Sequence, residues 1–354
     1  MIRVAIIGAG IGAEHLQGYR ALPDLFRVAT LCDRDLGRAD AVAGNDPDIT
    51  TTPDLDAVLA DPEIDLVDIC LPPHLHAEVS IAALAAGKHV VCEKPMTRNL
   101  AEADGLARAI RASGKVFSPV FQYRFGPATA ALDALIAAGL AGPPVMASVE
   151  THWDRDAAYY AVPWRGTWAG ESGGAVLGHA IHAHDLLCRY FGPVARVQAH
   201  CATRVNEIET EDCAALAFGF ENGALATSSI TLGAAGDETR LRFVFRELTA
   251  TSGTSPYAPA ADTWRFKARD PSRQGEVDAI VANAKGHVGF AGYFEALAAA
   301  IAGDPSRCVS FEDGRRSIEL VSAIYAAARS GNTISLPLHA QDPIRAGWQP
   351  EVVA

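Results

Sequence analysis

The chain has 354 residues, 49% hydrophobic and 20% charged, which allows about two domains with a sizeable core. A net charge of -12 argues against non-specific nucleic-acid binding, which needs a basic face. The seven cysteines are scattered without a CxxC pair and no uncharged stretch could span a bilayer, so a cytoplasmic protein without a zinc module is expected.

The opening "MIRVAIIGAG" breaks into glycines too soon for a secretory leader. It reads as a first strand, RVAIIG, ending in a turn. Strand-like runs follow in RVATLCD, DLVDICLP, KHVVCE and KVFSPV. Helical stretches separate them. TTPDLDAVLA carries Thr52 as a cap and Pro53 at the first helical position. NLAEADGLARAIRASGK has Asn99 as its cap, Glu102 three residues on in a capping box, and Gly114 as its stop. Strands alternating with such helices predict βαβ units and a parallel sheet.

The pattern changes near Tyr123. PATAALDALIAAGLAG reads as a helix, VMASVETHW as a strand, and a long helix is expected from near Leu177 to Phe191. VARVQAH, CAALAFGF and ALATSSITL are strand-like, the last two joined through Asn222-Gly223, a strong hairpin signal. TRLRFVF and TWRFKAR add two more. Helices around Tyr293–Ile301 and Arg315–Ala328 precede a final TISLPL strand. Two domains follow: residues 1–122, α/β, and residues 123–354, α+β with a mostly antiparallel sheet.

IIGAGIGAEH contains Gly8, Gly10, Ile11, Gly12 and Ala13 in a GxGxxA pattern, with a strand before it and a helix-compatible run after it. Asp33 lies about twenty residues on, at the end of the next strand. Gly8 allows a tight turn, Gly10 lets the backbone approach a pyrophosphate, and the small Ala13 lets helix and strand pack closely. The phosphates meet free N–H groups at the helix N-terminus, and Asp33 accepts the ribose hydroxyls. The charge of Asp33 favours NAD, while Arg34 beside it leaves NADP open.

GAGIGA, LPPHLH, EKP at 93–95, YRF at 123–125, GGAVLGHAIHAHDLL and the closing DGRRSIELVSAIYAAARSGNTISLPL occur in one order. Together they resemble the glucose–fructose oxidoreductase / inositol dehydrogenase / rhizopine-catabolism (Gfo/Idh/MocA) family over nearly the whole chain. The resemblance implies an N-terminal Rossmann domain with a doubly wound parallel sheet. It implies a C-terminal domain with a large open sheet that serves substrate binding and assembly as dimers or tetramers. It also implies reversible oxidation of a hydroxyl on a sugar, cyclitol or similar compound.

Carried over by position, the resemblance makes Lys94 the catalytic lysine, with Glu93 and Pro95 shaping the nicotinamide end of the cofactor site. Leu71, Pro72 and His76 fall in the stretch that lies against the cofactor. His182 matches the histidine facing the substrate carbinol, Asp185 an acidic position on the same helix face, and Tyr123 of YRF a substrate contact. Inositol-type members carry an aspartate four residues before that histidine. This chain has Gly178 there, so a strict myo-inositol assignment does not follow.

Oxidising a secondary alcohol takes a hydride to the nicotinamide and a proton to a base. A lysine titrates near about 10.4 unless burial or a nearby positive charge lowers it. Lys94, at a strand end where such sheets bind ligands, suits that role. His179, His182 and Asp185 stand at intervals of three, on one face of a helix. Three readings remain at this point: His182 moves the proton with Lys94 while His179 holds another hydroxyl, the three hold a metal, or they are structural. The aromatic THWDRDAAYYAVPWRGTWAGESGG just before is expected to wall the pocket, through Trp164 and Arg165, and His287 is a further candidate contact. The chemistry expected is sugar or polyol dehydrogenation with NAD. Alternatives are glycoside cleavage through transient redox, and a cofactor-sensing regulator on the same fold.

Overall fold

The computed structural model describes residues 1–350. The chain divides into two compact units. The first is Met1–Gln122 with Phe290–Arg315, and the second is Tyr123–Gly289 with the residues from Arg316 on. The expected second domain, 123–354, would have contained residues 290–315. These instead complete the first unit. Phe294 stacks on Tyr19 with ring centroids 3.8 Å apart, and Gly18 lies where any Cβ would come within 2.8 Å of Phe290 and Phe294. Tyr293 donates to the carbonyl of Ser118 at 2.9 Å, and the Ser118 hydroxyl donates to Val309 at 2.8 Å.

The first unit alternates strand and helix: β1 (Ile2–Ile7), α1 (Gly12–Arg20), β2 (Phe26–Cys32), α2 (Leu36–Ala43), β3 (Thr50–Thr52), α3 (Leu55–Ala60), β4 (Leu66–Ile69), α4 (Pro73–Ala85), β5 (His89–Cys92), α5 (Leu100–Ser113) and β6 (Phe117–Pro119). Its strands form one parallel sheet in the order β3-β2-β1-β4-β5-β6. The order reverses between β1 and β4, the point at which doubly wound sheets bind ligands beyond their carboxyl ends. Every residue from Val4 to Ile7 and from Leu66 to Ile69 is buried, as a sheet covered on both faces requires.

Two local expectations shift. The cap of α3 is Asp54, whose carboxylate accepts the Ala57 N–H at 2.9 Å, while Thr52 ends β3. The sheet claims Thr52, and Asp54 takes over the orphan donor. At α5, Asn99 accepts from Glu102 N and Gly114 adopts the left-handed conformation. The Glu102 carboxylate reaches back to Arg98 N, at 2.9 Å, one residue earlier than in a standard capping box.

The second unit contains α6 (Pro127–Ala137), β7 (Pro144–Asp154), α7 (Trp168–Glu171), α8 (Ile181–Phe191), β8 (Val194–Ala202), β9 (Cys213–Phe220), β10 (Leu225–Thr231), β11 (Gly233–Phe245), β12 (Leu248–Thr251), β13 (Arg265–Ala268) and α9 (Gln274–Asn283). α10 (Gly289–Ile301) belongs almost wholly to the first unit, and the boundary at Arg315 falls inside α11 (Phe311–Ser330). β14 (Ile334–Ser335) joins the sheet, whose order is β13-β12-β11-β7-β10-β9-β8-β14. All its neighbours pair antiparallel except β7 with β10. The β9–β10 hairpin turns at Asn222-Gly223, where Gly223 takes φ +86°.

This sheet is buried on one face only. In β9, Ala214, Leu216 and Phe218 are buried while Ala215 and Ala217 are exposed. The two-residue period is that of a half-covered antiparallel sheet. α8 covers the buried face, with Phe191 against Phe220, Phe243 and Phe245. The expected long helix from Leu177 is interrupted. Val176–Ala180 forms a π-helical turn, and regular α-helix begins at Ile181.

Candidate active site

In the first unit, the glycine turn is built by close approach. Gly8 has φ +104°, and a Cβ there would come within 2.4 Å of the Cys70 carbonyl oxygen. A Cβ at Gly10 would meet no heavy atom within 4 Å, so this exposed backbone is the open side of the turn. Ile11 beside it is exposed. Gly12, rather than the half-exposed Ala13, is what lets helix and strand pack: a Cβ there would lie 2.8 Å from Ile6 Cγ2. The turn leads straight into α1, whose N-terminal N–H groups suit an anion.

Asp33 is buried at the end of β2. Its Oδ2 accepts the Ala9 N–H at 2.8 Å and its Oδ1 accepts the Asp35 N–H at 2.9 Å. The carboxylate thereby clamps the glycine turn to the neighbouring strand. Arg34 is exposed. The guanidinium nearest Asp33 is that of Arg38, 3.8 Å from Oδ2, a residue the spacing argument missed. Its position one turn into α2, after the Asp35 cap, was the available signal.

The stretch after β4 and the stretch after β5 are tied together by His76. Its Nδ1 lies 2.7 Å from the Pro95 carbonyl and its Nε2 lies 2.7 Å from the Leu71 carbonyl. Burial lowers the pKa of this imidazole, against the pull of both carbonyls. His76 is therefore a brace between LPPHLH and EKP. Pro72 caps α4 in an extended conformation, with Pro73 at its first position, and Leu71 and Pro72 are half-buried. Lys94 is half-buried just past β5, and its peptide to the buried Pro95 is cis. The Lys94 N–H donates to Glu93 Oε2 at 3.0 Å, and Glu93 Oε1 lies 3.1 Å from Nε2 of His15.

In the second unit, YRF and the histidine helix form one cluster. Tyr123 stacks on His182, with centroids 4.6 Å apart and planes at 23°, and donates its hydroxyl to the Pro256 carbonyl at 2.8 Å. Arg124 holds both oxygens of Asp185. Asp185 thus ties α8 to the turn that carries YRF. Arg124 was not anticipated. Its motif was visible, but its partner lies 61 residues away.

His179 sits in the π-turn, with its ring edge-on to Trp153 at 5.3 Å and its Nε2 3.4 Å from the Tyr159 hydroxyl. His184 points to the sheet. It meets Ser228 Oγ at 3.0 Å, and burial alone lowers its pKa to about 4, so it stays neutral. Arg165 lies over the Tyr159 ring at 3.9 Å, next to the exposed Trp164. Arg155, paired with Asp237, packs on Trp153, Tyr159 and Tyr257. His287 is exposed in the loop before α10.

One device supporting this cluster had no sequence signal. Glu211, buried, accepts from Val176 N at 3.0 Å, Gly174 N at 3.2 Å and the Tyr325 hydroxyl at 2.9 Å. It caps the very turn from which the histidine helix departs. Among the described residues, the group with metal-ligand spacing is His15, Asp68 and Cys70 in the first unit, not His179, His182 and Asp185.

The glycine turn, Asp33 and the α1 N-terminus fit a dinucleotide. Residues 2–121 match a model described as an oxidoreductase family with an NAD-binding Rossmann fold, and residues 129–251 match the GFO/IDH/MocA C-terminal domain. The levoglucosan dehydrogenase of Pseudarthrobacter phenanthrenivorans is 30% identical over 237 residues, 63% of this chain and 59% of that protein. The D-glucoside 3-dehydrogenase of Escherichia coli is 31% identical over 211 residues, 58% of each chain. This chain thus spans under two thirds of the length of these curated relatives. The WlbA dehydrogenase of Bordetella pertussis, crystallised with NADH and UDP-GlcNAcA, superposes with a TM-score of 0.81 at 27% identity, over 96% of this chain and 99% of that one. With both of its sequence domains matched in order, and with an NAD-binding Rossmann unit at its N-terminus, the chain belongs to the GFO/IDH/MocA oxidoreductase family.

Proposed function

We propose that the protein is an NAD(P)-dependent dehydrogenase or reductase acting on a secondary hydroxyl or ketone of a sugar, cyclitol or related polyol. The observation that carries this reading is Lys94, held at the carboxyl edge of a dinucleotide-binding sheet by Glu93 on one side and by the His76 brace on the other. When bound, the nicotinamide supplies the hydride acceptor or donor.

The glycine turn and the α1 N-terminus hold the pyrophosphate, and Asp33 orients the adenosine ribose. Lys94 takes the hydroxyl proton, and His182 works with it as the second member of a relay. Tyr123, stacked on His182, fixes the imidazole plane and adds an apolar face for a sugar ring. His179, Trp164 and Arg165 contact other hydroxyls. Asp185 acts through Arg124 to seat the helix that carries His182. The first unit serves the cofactor and the second serves substrate and assembly.

Assembly as a homodimer or homotetramer is proposed on the same family grounds. The exposed face of the second sheet, with Ala215 and Ala217 beside Ser229 and Thr227, suits it, and light scattering checks it. The functional test is NADH formation over a panel of cyclitols, aldoses, anhydrosugars and glycosides. A Lys94→Ala variant retains NAD binding and loses turnover. Normal turnover in that variant sinks the mechanism.

A further inference from the structure

Beneath the turn that carries Lys94 lies a buried group of charges that the proposed chemistry does not use. His15, on α1, is completely buried. Its Nδ1 faces Asp68 Oδ2 at 2.8 Å, and its Nε2 faces Glu93 Oε1 at 3.1 Å. An ionised carboxylate only accepts hydrogen bonds, so an imidazole between two of them carries a proton on both nitrogens. The other groups facing the ring favour the same state. Cys70 from the end of β4 lies 3.4 Å from Nδ1, with its thiol also 3.6 Å from Asp68 Oδ1. Burial pushes that thiol up to about 12, so it is a neutral neighbour. Tyr19, one turn along α1, is buried and likewise held neutral by burial. From α10, the Phe290 ring lies 4.3 Å from the imidazole and Phe294 presents an edge at 5.6 Å, surroundings that accept a cation. Burial disfavours the imidazolium, but Asp68 and the remaining partners outweigh it and raise the pKa well above the ordinary value.

We propose that His15 is a positioning residue for Lys94: a buried imidazolium that bridges Asp68 and Glu93 and, through Glu93, fixes the backbone on which Lys94 is carried. The path is short. His15 binds one oxygen of Glu93, and the other oxygen of Glu93 accepts the Lys94 N–H at 3.0 Å. Removing one His15 proton leaves the ring a single N–H for its two carboxylates, so the longer contact, the one to Glu93, is released. Glu93, which accepts the Lys94 N–H, then loses its tie to α1. The importance of this strut for catalysis rests on the reading of Lys94 as the proton-handling residue. The position of Lys94 can be measured without that reading.

Two measurements on the full-length protein decide the matter. Long-range nitrogen–proton NMR of the histidine-labelled chain, with the His15 signal assigned through a His15→Gln variant, reports the ring state directly. Both nitrogens are expected to carry protons at about pH 8, where an ordinary histidine with a pKa near about 6.5 is neutral. A neutral His15 ring there overturns the proposal, and where His15→Gln fails to fold, the absence of any doubly protonated ring among the eleven histidines at that pH overturns it equally. The second measurement is acetic anhydride labelling of lysines against pH, read by mass spectrometry. In His15→Gln the labelling of Lys94 changes by at least about threefold while Lys115, at the opposite end of the β5–β6 pair, stays constant, a size set by losing a charge-assisted hydrogen bond. An unchanged Lys94 profile in a folded variant overturns the positioning role. Lys94→Ala, assayed for turnover, tests the catalytic reading separately: its normal turnover removes Lys94 from the mechanism and leaves the ring state of His15 as measured.

Discussion

Arg124 and Asp185 meet as two planar groups, with Nε donating to one carboxylate oxygen at 2.7 Å and Nη2 to the other at 2.5 Å, and both side chains almost wholly buried. Such a pair contributes little net stability, since desolvation offsets its attraction, but removing one partner strands a buried charge. Arg124→Met is expected to cost about 3–5 kcal/mol in chemical denaturation. The double variant Arg124→Met with Asp185→Leu should recover most of that loss. If the single variant is as stable as the parent, the pair is not an anchor of α8.

Asp33 holds the glycine turn through Ala9 N and stands 3.8 Å from the Arg38 guanidinium. Asp33→Ser removes the negative charge that repels a 2′-phosphate and leaves Arg38 in place. NAD affinity should fall about tenfold or more while NADP binding improves, the scale of a lost charged hydrogen bond. Calorimetry with both dinucleotides checks this. An unchanged preference would show that Asp33 is structural only.

Glu211 gives a pH-dependent expectation. Burial pushes its carboxyl above the ordinary range, with the donors from Val176, Gly174 and Tyr325 offsetting part of the effect. An acid with a raised folded pKa binds its proton more tightly in the native state. Its contribution is therefore present below the ordinary carboxyl pKa and lost as pH rises through the raised one. In Glu211→Gln that falling component of stability between mildly acidic and neutral pH should vanish. Denaturation series at several pH values, parent against variant, read the slope. Identical slopes would refute it.

Gly178 occupies a place where a Cβ would meet no heavy atom within 4 Å. The first carbon of an aspartate side chain is thus accommodated there, and replacing a helical glycine changes stability by only about 1 kcal/mol. Gly178→Asp should fold normally and shift the substrate panel towards cyclitols of the inositol type. A variant that folds but shows the parent's relative rates would remove Gly178 from the determinants of specificity.

The parts legible in the sequence are those whose signal is local. GAGIGA followed by Asp33 announces strand, turn and helix within one βαβ unit, and Asn99 with Gly114 brackets a helix by chemistry confined to its own ends. Thr52 misled because two structures compete for it, and the sheet has the stronger claim than a cap that Asp54 can supply. The π-turn before His182 leaves no periodic trace, because it is set by Glu211 gripping Gly174 and Val176 from 37 and 35 residues away. His15 and Glu93 are separated by 78 residues, and only the parallel sheet brings them to one place. Spacing arguments read neighbours along the chain, whereas these contacts are neighbours across it.

The return of residues 290–315 to the first unit has a bearing on biosynthesis. A ribosome delivers residues 1–122 well before Phe290 and Phe294 exist. Until they emerge, Tyr19 and Phe26 lack the rings that cover them, and His15 lacks its aromatic lid. The nascent sheet must wait, with part of its apolar surface bare, while the whole intervening segment is translated. Chaperone capture of stalled nascent chains should accordingly be strongest for lengths ending short of α10 and fall once it has cleared the exit tunnel.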